Sequence, residues 1–140
     1  MPAHVVFDSG PLVALFDRDD EFHRRSVDFI RRFRGTAVSN LAVVTEVMYL
    51  LDFSHQAQTD FLEWVRAGAL ELVELNSADF ERIIELMAKY ADRPMDFADA
   101  SLVAICERLD VRDIASVDND FLIYRFRKRS MFRNVFLRGT

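Results

Sequence analysis

The fold is decided near the start of the chain, where residues 4–11 read HVVFDSGP. The apolar run that ends at Phe7 predicts a short buried strand. The next residues predict a turn into a helix, because Asp8 or Ser9 can cap a helix N-terminus and Pro11 suits a first turn. An acid directly after such a strand lies at the carboxyl end of the sheet, where parallel α/β proteins form their sites.

Working outward from this stretch, short apolar strands alternate with helices. Further strands are predicted at residues 36–39, 70–75 and 114–117, with a possible edge strand at 131–137. Helices are predicted at residues 22–33, 41–51, 56–67, 77–90 and 96–109, with Pro94 ending the connection before the last of them. This alternation predicts an α/β domain with a mostly parallel sheet, and residues 1–140 are short enough to form one domain.

Two of these helices have informative patterns of apolar residues. Residues 41–51 are apolar almost all round, which predicts a buried helix. In the 77–90 helix, the helical spacing places Phe80, Ile83, Ile84 and Met87 on one face.

The charge of the chain is unevenly distributed. The net charge is −5, but residues 121–140 carry six basic residues and no acid, so the first 120 residues carry −11. Sixteen of the 18 basic residues are Arg, which suits bidentate phosphate contacts. The basic segment is therefore either a solvated tail or an edge that contacts a phosphate backbone.

Other features exclude several classes of protein. No stretch approaches the roughly 20 apolar residues of a membrane span, and the N-terminus lacks the pattern of a signal peptide. The single Cys106 excludes an intrachain disulfide framework and a multi-cysteine zinc site, and its apolar surroundings predict a core position. The default expectation is a soluble cytoplasmic protein.

Acidic residues stand at informative positions. Asp118 follows the predicted 114–117 strand, just as Asp8 follows the first strand, and Asp120 offers a second acid at the same place. A helix cap would by itself explain Asp8, and an Asx turn would by itself explain Asp118. Glu46 lies within the apolar 41–51 helix, so its carboxylate must be exposed, paired, protonated or bound to a metal. Asp96 and Asp99 share one face at a helix start, where Asp96 is a plausible N-cap.

Carboxylates that gather in one place repel each other unless a cation neutralises them. Oxygen ligands favour Mg²⁺ or Mn²⁺, and magnesium held by carboxylates can bind a phosphate and activate a water. Such a site suits phosphodiester hydrolysis. The spacing of the acids does not by itself establish that they converge.

Four segments together resemble the motifs of PIN-domain ribonucleases, in the same order and at matching distances. They are residues 8–15 (DSGPLVAL), 45–47 (TEV), 96–104 (DFADASLVA) and 116–121 (SVDNDF). The resemblance covers nearly the whole chain. The chain length is most similar to that of VapC-type toxins of toxin–antitoxin pairs. One departure is Gly10-Pro11, where many members have a pair such as Ser-Ala, and we expect it to leave the ligands untouched.

The resemblance implies a three-layer α/β/α fold, Mg²⁺- or Mn²⁺-dependent cleavage of RNA, a homodimer and an antitoxin partner that blocks the site. Carried over by motif, the acidic set is Asp8, Glu46, Asp99 and Asp118, with Asp96 and Asp120 as alternatives. In this interpretation the three aspartates hold the metal, Glu46 binds or orients the attacking water, and Ser9 supports the first acid. The RNA backbone would be held by basic residues of the C-terminal segment, namely Arg125, Arg127, Lys128 and Arg129.

Two other functions stay open from the sequence. A catalytically silent module could keep the fold and bind RNA or a regulatory partner. A phosphatase or response-regulator-like protein with a single acidic phosphoacceptor is disfavoured, because Glu46 has no role in it and no partner lysine is present among the motifs. The RNA target and the number of metal ions are not readable from the residues.

Overall fold

The computed structural model describes residues 3–93 and 95–137; Pro94 and Arg138 lie outside the described residues. Its strands are β1 (His4–Phe7), β2 (Thr36–Ser39), β3 (Glu71–Leu72), β4 (Asp113–Ala115), β5 (Arg125–Phe126), β6 (Ser130–Met131) and β7 (Arg133–Asn134). Its helices are α1 (Ser9–Phe16), α2 (His23–Arg32), α3 (Leu41–Leu50), α4 (His55–Arg66), α5 (Ser77–Lys89), α6 (Phe97–Leu109) and α7 (Asp120–Ile123). The order of strands and helices confirms the predicted α/β class.

Five strands form the main sheet in the order β3-β2-β1-β4-β7, and each neighbouring pair is parallel. In the centre, Val6 pairs with Val38 of β2 on one side and with Ile114 of β4 on the other. Successive residues of a strand point to opposite faces, and Val5, Val6 and Phe7 are all buried. Both faces of β1 are therefore covered, as a parallel sheet requires.

Aromatic residues hold one of the helices against the sheet. The Phe7 ring packs edge-on against Phe29 and Phe33, at centroid distances of 5.9 and 6.0 Å. These contacts hold α2 and the residue after it against β1. The 22–33 segment is thus an amphipathic helix, as its spacing predicts.

The prediction that the 41–51 helix is buried is wrong. Val43 and Val47 enter the core, but Leu41 is 66% exposed and Tyr49 is 73% exposed. The reason is that α3 packs against α1 and α6 on one side and leaves its other apolar side uncovered. A helix that is apolar all round has no pattern that identifies its buried side.

The four apolar residues predicted on one face of the 77–90 helix differ in their exposure. Ile83 is buried, whereas Phe80, Ile84 and Met87 are exposed, and Leu86 takes the second core position. Because α5 packs on α6, the buried side of α5 is set by that contact. Cys106 of α6 is fully buried, which confirms its core assignment.

Strand ends differ from the predicted ranges. β4 stops at Ala115 because the Asn134 side chain bonds the main chain of Ser116, donating from Nδ2 to its carbonyl at 3.0 Å and accepting from its N–H at 3.3 Å. The predicted edge strand at 131–137 is present as the shorter β7. The β5–β6 hairpin and helix α7 were not predicted. Within the described ranges, none of the helices is long and apolar enough to span a membrane.

Candidate active site

The sequence-predicted acids lie around the carboxyl ends of the central strands. The chain runs from β1 outward through β2 and β3 and then returns to β4 on the other side of β1. Between β1 and β4 the direction of winding reverses, and ligands of open α/β sheets bind at the carboxyl ends of strands at such a point. Asp8 directly follows β1, and Ser116 and Asp118 follow β4.

Asp8 is buried between the two strand ends and caps α1. Its Oδ1 accepts from the Ser9 N–H at 2.8 Å, and its Oδ2 accepts from the Ser116 hydroxyl at 3.1 Å. Burial, together with the negative charges of Asp118 and Glu46 and against the Ser9 hydrogen bond, raises the pKa of Asp8 to about 7. The N-cap role and a place in the acidic site are therefore compatible.

Ser9 supports Asp8 through its backbone N–H, whereas the expectation was a role for its hydroxyl side chain. Next to it, Gly10 allows a close approach of the two acidic segments. A Cβ on Gly10 would lie 2.3 Å from Cγ2 of Val117. The Val117 side chain fills this space, so a side chain at position 10 would require Val117 to shift.

Asp118 and Asp120 continue the site beyond β4. The Ser116 hydroxyl lies 3.3 Å from Asp118 Oδ1, and the same oxygen accepts from the Asp120 N–H at 3.1 Å. A hydroxyl has one proton, so Ser116 donates to Asp8 or to Asp118 and not to both at once. Desolvation, followed by the charges of Asp118 and Asp96, raises the pKa of Asp120.

Asp99 enters the site from the first turn of α6. Asp96 is the N-cap, as predicted, and its Oδ1 accepts from the Asp99 N–H at 2.9 Å. Burial, together with the charges of Asp8, Asp96 and Asp118 and against a hydrogen bond from Tyr124, raises the pKa of Asp99 to about 8. Asp99 therefore lies within range of the negative charges of the acids that follow β1 and β4.

Glu46 is half-buried on α3, and its charge reaches Asp8, whose pKa it raises. Within residues 3–93 and 95–137 there are five ion pairs, and none of them includes one of the six acids of the site. Negative charge is thus gathered at the strand ends without a protein cation to balance it. This is the electrostatic setting in which a divalent cation binds.

The donor set fits Mg²⁺ or Mn²⁺ by chemistry, because every candidate ligand is a carboxylate oxygen. In the described part of the chain, however, no three His, Cys, Asp or Glu side chains are close enough together to hold a metal ion as they stand. Carboxylates without a cation repel each other, which keeps them apart. A bound cation would relieve this repulsion and let the other carboxylates close on Asp99, whose Oδ2 is held by the Tyr124 hydroxyl.

Sequence reasoning missed two residues that contact the acids. Ser116 bridges the first and fourth acidic segments, and a hydroxyl residue two positions before Asp118 was a signal that could have found it. The Tyr124 hydroxyl donates to Asp99 Oδ2 at 2.9 Å. Its burial and the neighbouring charge of Asp99 raise the pKa of Tyr124, so the phenol stays protonated. No sequence pattern links Tyr124 to Asp99.

The four basic residues assigned to RNA lie in different settings. Arg125 donates to the carbonyls of Leu122, Ile123 and Tyr124, which are the last carbonyls of α7 and its cap. Lys128 and Arg129 are exposed at the tip of the β5–β6 hairpin. RNA contact by these side chains stays a prediction.

Arg127 is held at the C-terminal end of α6, away from the acids. Its guanidinium pairs with Asp110 at 3.2 Å and donates to the Glu107 carbonyl at 2.9 Å. Along α6, Asp110 lies about 20 Å from Asp96 at 1.5 Å per residue. The contact between Arg127 and Asp110 therefore lies at the opposite end of α6 from Asp96.

Comparison with known proteins gives a consistent result. The family model of the PIN domain matches residues 5–127. The chain is 28% identical over 116 residues to Ribonuclease VapC26 of Mycobacterium tuberculosis, a match that covers 81% of this chain and 86% of that protein. Among solved structures, the Mycobacterium tuberculosis toxin VapC20, which cleaves the sarcin-ricin loop, is similar with a TM-score of 0.76 and 18% identity, covering 83% and 91% of the two chains. A toxin–antitoxin complex from Klebsiella pneumoniae is similar with a TM-score of 0.64 and 17% identity, covering 83% and 88%.

Proposed function

Because the chain belongs to the PIN-domain family, we propose that residues 1–140 form a single nuclease domain that cleaves RNA, as the toxin of a VapC-type toxin–antitoxin pair. The observation that carries this proposal is the uncompensated acidic site at the strand ends of β1 and β4. Its support from relatives is that one is a ribonuclease and another is a toxin that cleaves the sarcin-ricin loop. We place the protein in the cytoplasm, where its RNA substrate would be.

In this proposal Asp8, Asp99 and Asp118 hold a divalent cation, with Asp96 and Asp120 as additional candidates. When bound, Mg²⁺ or Mn²⁺ supplies the positive charge that draws a phosphate into an acidic pocket and stabilises its developing charge. Ser116 and the Ser9 N–H orient the Asp8 carboxylate. Glu46 orients the attacking water, because its half-buried carboxylate lies close enough to raise the pKa of Asp8 and makes no ion pair with any of the described residues.

The alternative is a catalytically silent module that binds RNA or a protein. The nuclease and the silent module are distinguished by incubating the purified protein with total RNA in chelator, in Mg²⁺ and in Mn²⁺, and by mapping new 5′ ends of the RNA. Metal-dependent ends that disappear in the Asp99→Asn variant support the nuclease. RNA binding without any metal-dependent end supports the silent module. Mapping also identifies the RNA target.

Exposed apolar side chains support the proposed homodimer. Leu41, Leu72, Phe80 and Phe97 line a groove of about 660 Å³ formed by the starts of α3 and α6, the edge strand β3 and α5. All four residues are exposed, and the rings of Phe80 and Phe97 stack at 6.1 Å. A contiguous apolar surface of this kind marks an interaction site. We assign it to a second copy of the chain, and we keep an antitoxin as the further protein partner.

A further inference from the structure

Tyr124 joins the two halves of the acidic site. Tyr124 is the C-cap of α7, the short helix that begins at Asp120. Its hydroxyl donates to Asp99 on α6, 25 residues earlier in the chain. The Tyr124 side chain is 0% exposed, and its ring packs edge-on against Tyr90 at 5.1 Å and Phe121 at 5.3 Å. Packing on both sides determines where the hydroxyl lies.

The hydroxyl determines in turn how the Asp99 carboxylate is oriented. It donates to Oδ2 at 2.9 Å and is the one hydrogen-bond donor to this carboxylate within residues 3–93 and 95–137. The hydrogen bond from the Asp99 N–H to Asp96 fixes the main chain but leaves the side chain free to rotate. With Oδ2 held, Oδ1 and the remaining lone pairs of Oδ2 are available to a ligand.

We propose that Tyr124 is a positioning residue, which holds the Asp99 carboxylate in the orientation that binds a divalent cation. The inference rests on the proposed function, because it presupposes that Asp99 is a metal ligand. Partners that hydrogen-bond a metal-ligating carboxylate orient it, and their loss typically weakens metal binding about 10- to 100-fold. Tyr124 also couples the packing of α7 to the ligand on α6.

The test is the affinity of the RNA-free protein for Mn²⁺, measured by the electron paramagnetic resonance signal of the free ion. Tyr124→Phe keeps the ring and removes the hydroxyl, and we expect it to raise the Kd for Mn²⁺ about tenfold. Tyr90→Phe is the matched control. The Tyr90 ring lies in the same cluster, but its hydroxyl accepts from the Arg125 N–H at 3.1 Å and contacts none of the acids. We expect this control to lower Tm and to leave the Kd within about twofold of wild type.

Three results would overturn the inference. An unchanged Kd in Tyr124→Phe means that the hydroxyl serves the fold alone, and an equal rise in both variants means general loosening of the cluster. Wild-type protein that binds no Mn²⁺ removes the premise, and if it also leaves RNA intact with metal, the proposed function fails as well. Metal-dependent RNA cleavage by wild type with an unchanged Kd in Tyr124→Phe contradicts this inference only.

A second measurement avoids substitution of Tyr124, in case Tyr124→Phe does not fold. The chain has three tyrosines, at positions 49, 90 and 124, so protein made with 3-fluorotyrosine gives three fluorine resonances. Tyr49→Phe and Tyr90→Phe assign them. Saturating Mg²⁺, with saturation confirmed by a rise in Tm, should shift the Tyr124 resonance. An unmoved Tyr124 resonance under these conditions contradicts the proposed link to Asp99.

Discussion

Replacing Asp8 with Asn should stabilise the metal-free protein at pH 8. Burial, together with the charges of Asp118 and Glu46, raises the pKa of Asp8 from 3.8 to about 7. Each pKa unit corresponds to about 1.4 kcal/mol, so an ionised Asp8 costs the folded state about 4 kcal/mol relative to the unfolded chain. Asn caps a helix about as well as Asp but loses about 1 kcal/mol of hydrogen bonding to Ser116. The expected net gain is about 3 kcal/mol, or roughly 10 °C in Tm.

The gain should depend on pH in a specific direction. Because the folded-state pKa of Asp8 is raised, wild-type stability is fully present below the unfolded pKa, near 4, and is lost as the pH rises through about 7. At pH 5 the cost of Asp8 is only about 1.7 kcal/mol, so the advantage of Asn should fall below about 1 kcal/mol. The advantage should therefore grow between pH 5 and pH 8.

Chemical denaturation in chelator at pH 5 and pH 8 measures this difference. Asp20→Asn is the control, because the Asp20 carboxylate also accepts a backbone N–H, from Phe22 at 2.8 Å, but lies outside the acidic site. Added Mg²⁺ should stabilise wild type by mass action and stabilise Asp8→Asn less. A variant that is no more stable than wild type at pH 8, or that gains equally from Mg²⁺, would refute the assignment of Asp8 to a charged metal site.

Three further predictions concern other parts of the molecule. Asp99→Asn should abolish RNA cleavage with an unchanged circular dichroism spectrum, because an amide is a weak neutral ligand for a hard cation; wild-type rates would move the role to Asp96. Replacing Lys128 and Arg129 with Gln should lower the slope of log K against log salt for RNA binding by roughly 1.5, and an unchanged slope would make the hairpin tip a solvated surface. Phe80→Asp should convert a dimer into a monomer by light scattering, and a variant that remains dimeric would place the interface elsewhere.

Local features of the fold could be predicted from the sequence. Asp96 is predictable as a helix cap, and Asp8 as one of two candidates beside Ser9, because a cap bonds N–H groups within three residues, a distance that spacing alone fixes. The central strands were found because residues covered on both faces form short continuous apolar runs. From these two kinds of signal the order of strands along the chain, the parallel sheet and the positions of Asp8 and Asp118 after their strands follow.

Tertiary packing decided what lies between segments that are distant in the chain. Two helices with apolar residues on more than one side, α3 and α5, carry no pattern that distinguishes the side facing the core from the side left exposed. The partners of Arg127 are likewise set by where the β5–β6 hairpin meets the end of α6.

The contacts that orient the acids were also decided by tertiary packing. The Ser116 hydroxyl reaches Asp8 across 108 positions of the chain, and the Tyr124 hydroxyl reaches Asp99 across 25. A hydrogen bond forms only when donor and acceptor lie within about 3 Å, and packing sets such a distance when the residues are far apart in sequence. The residue types that supply the acidic chemistry are therefore readable from the sequence, whereas their orientation depends on side chains that only the folded chain brings together.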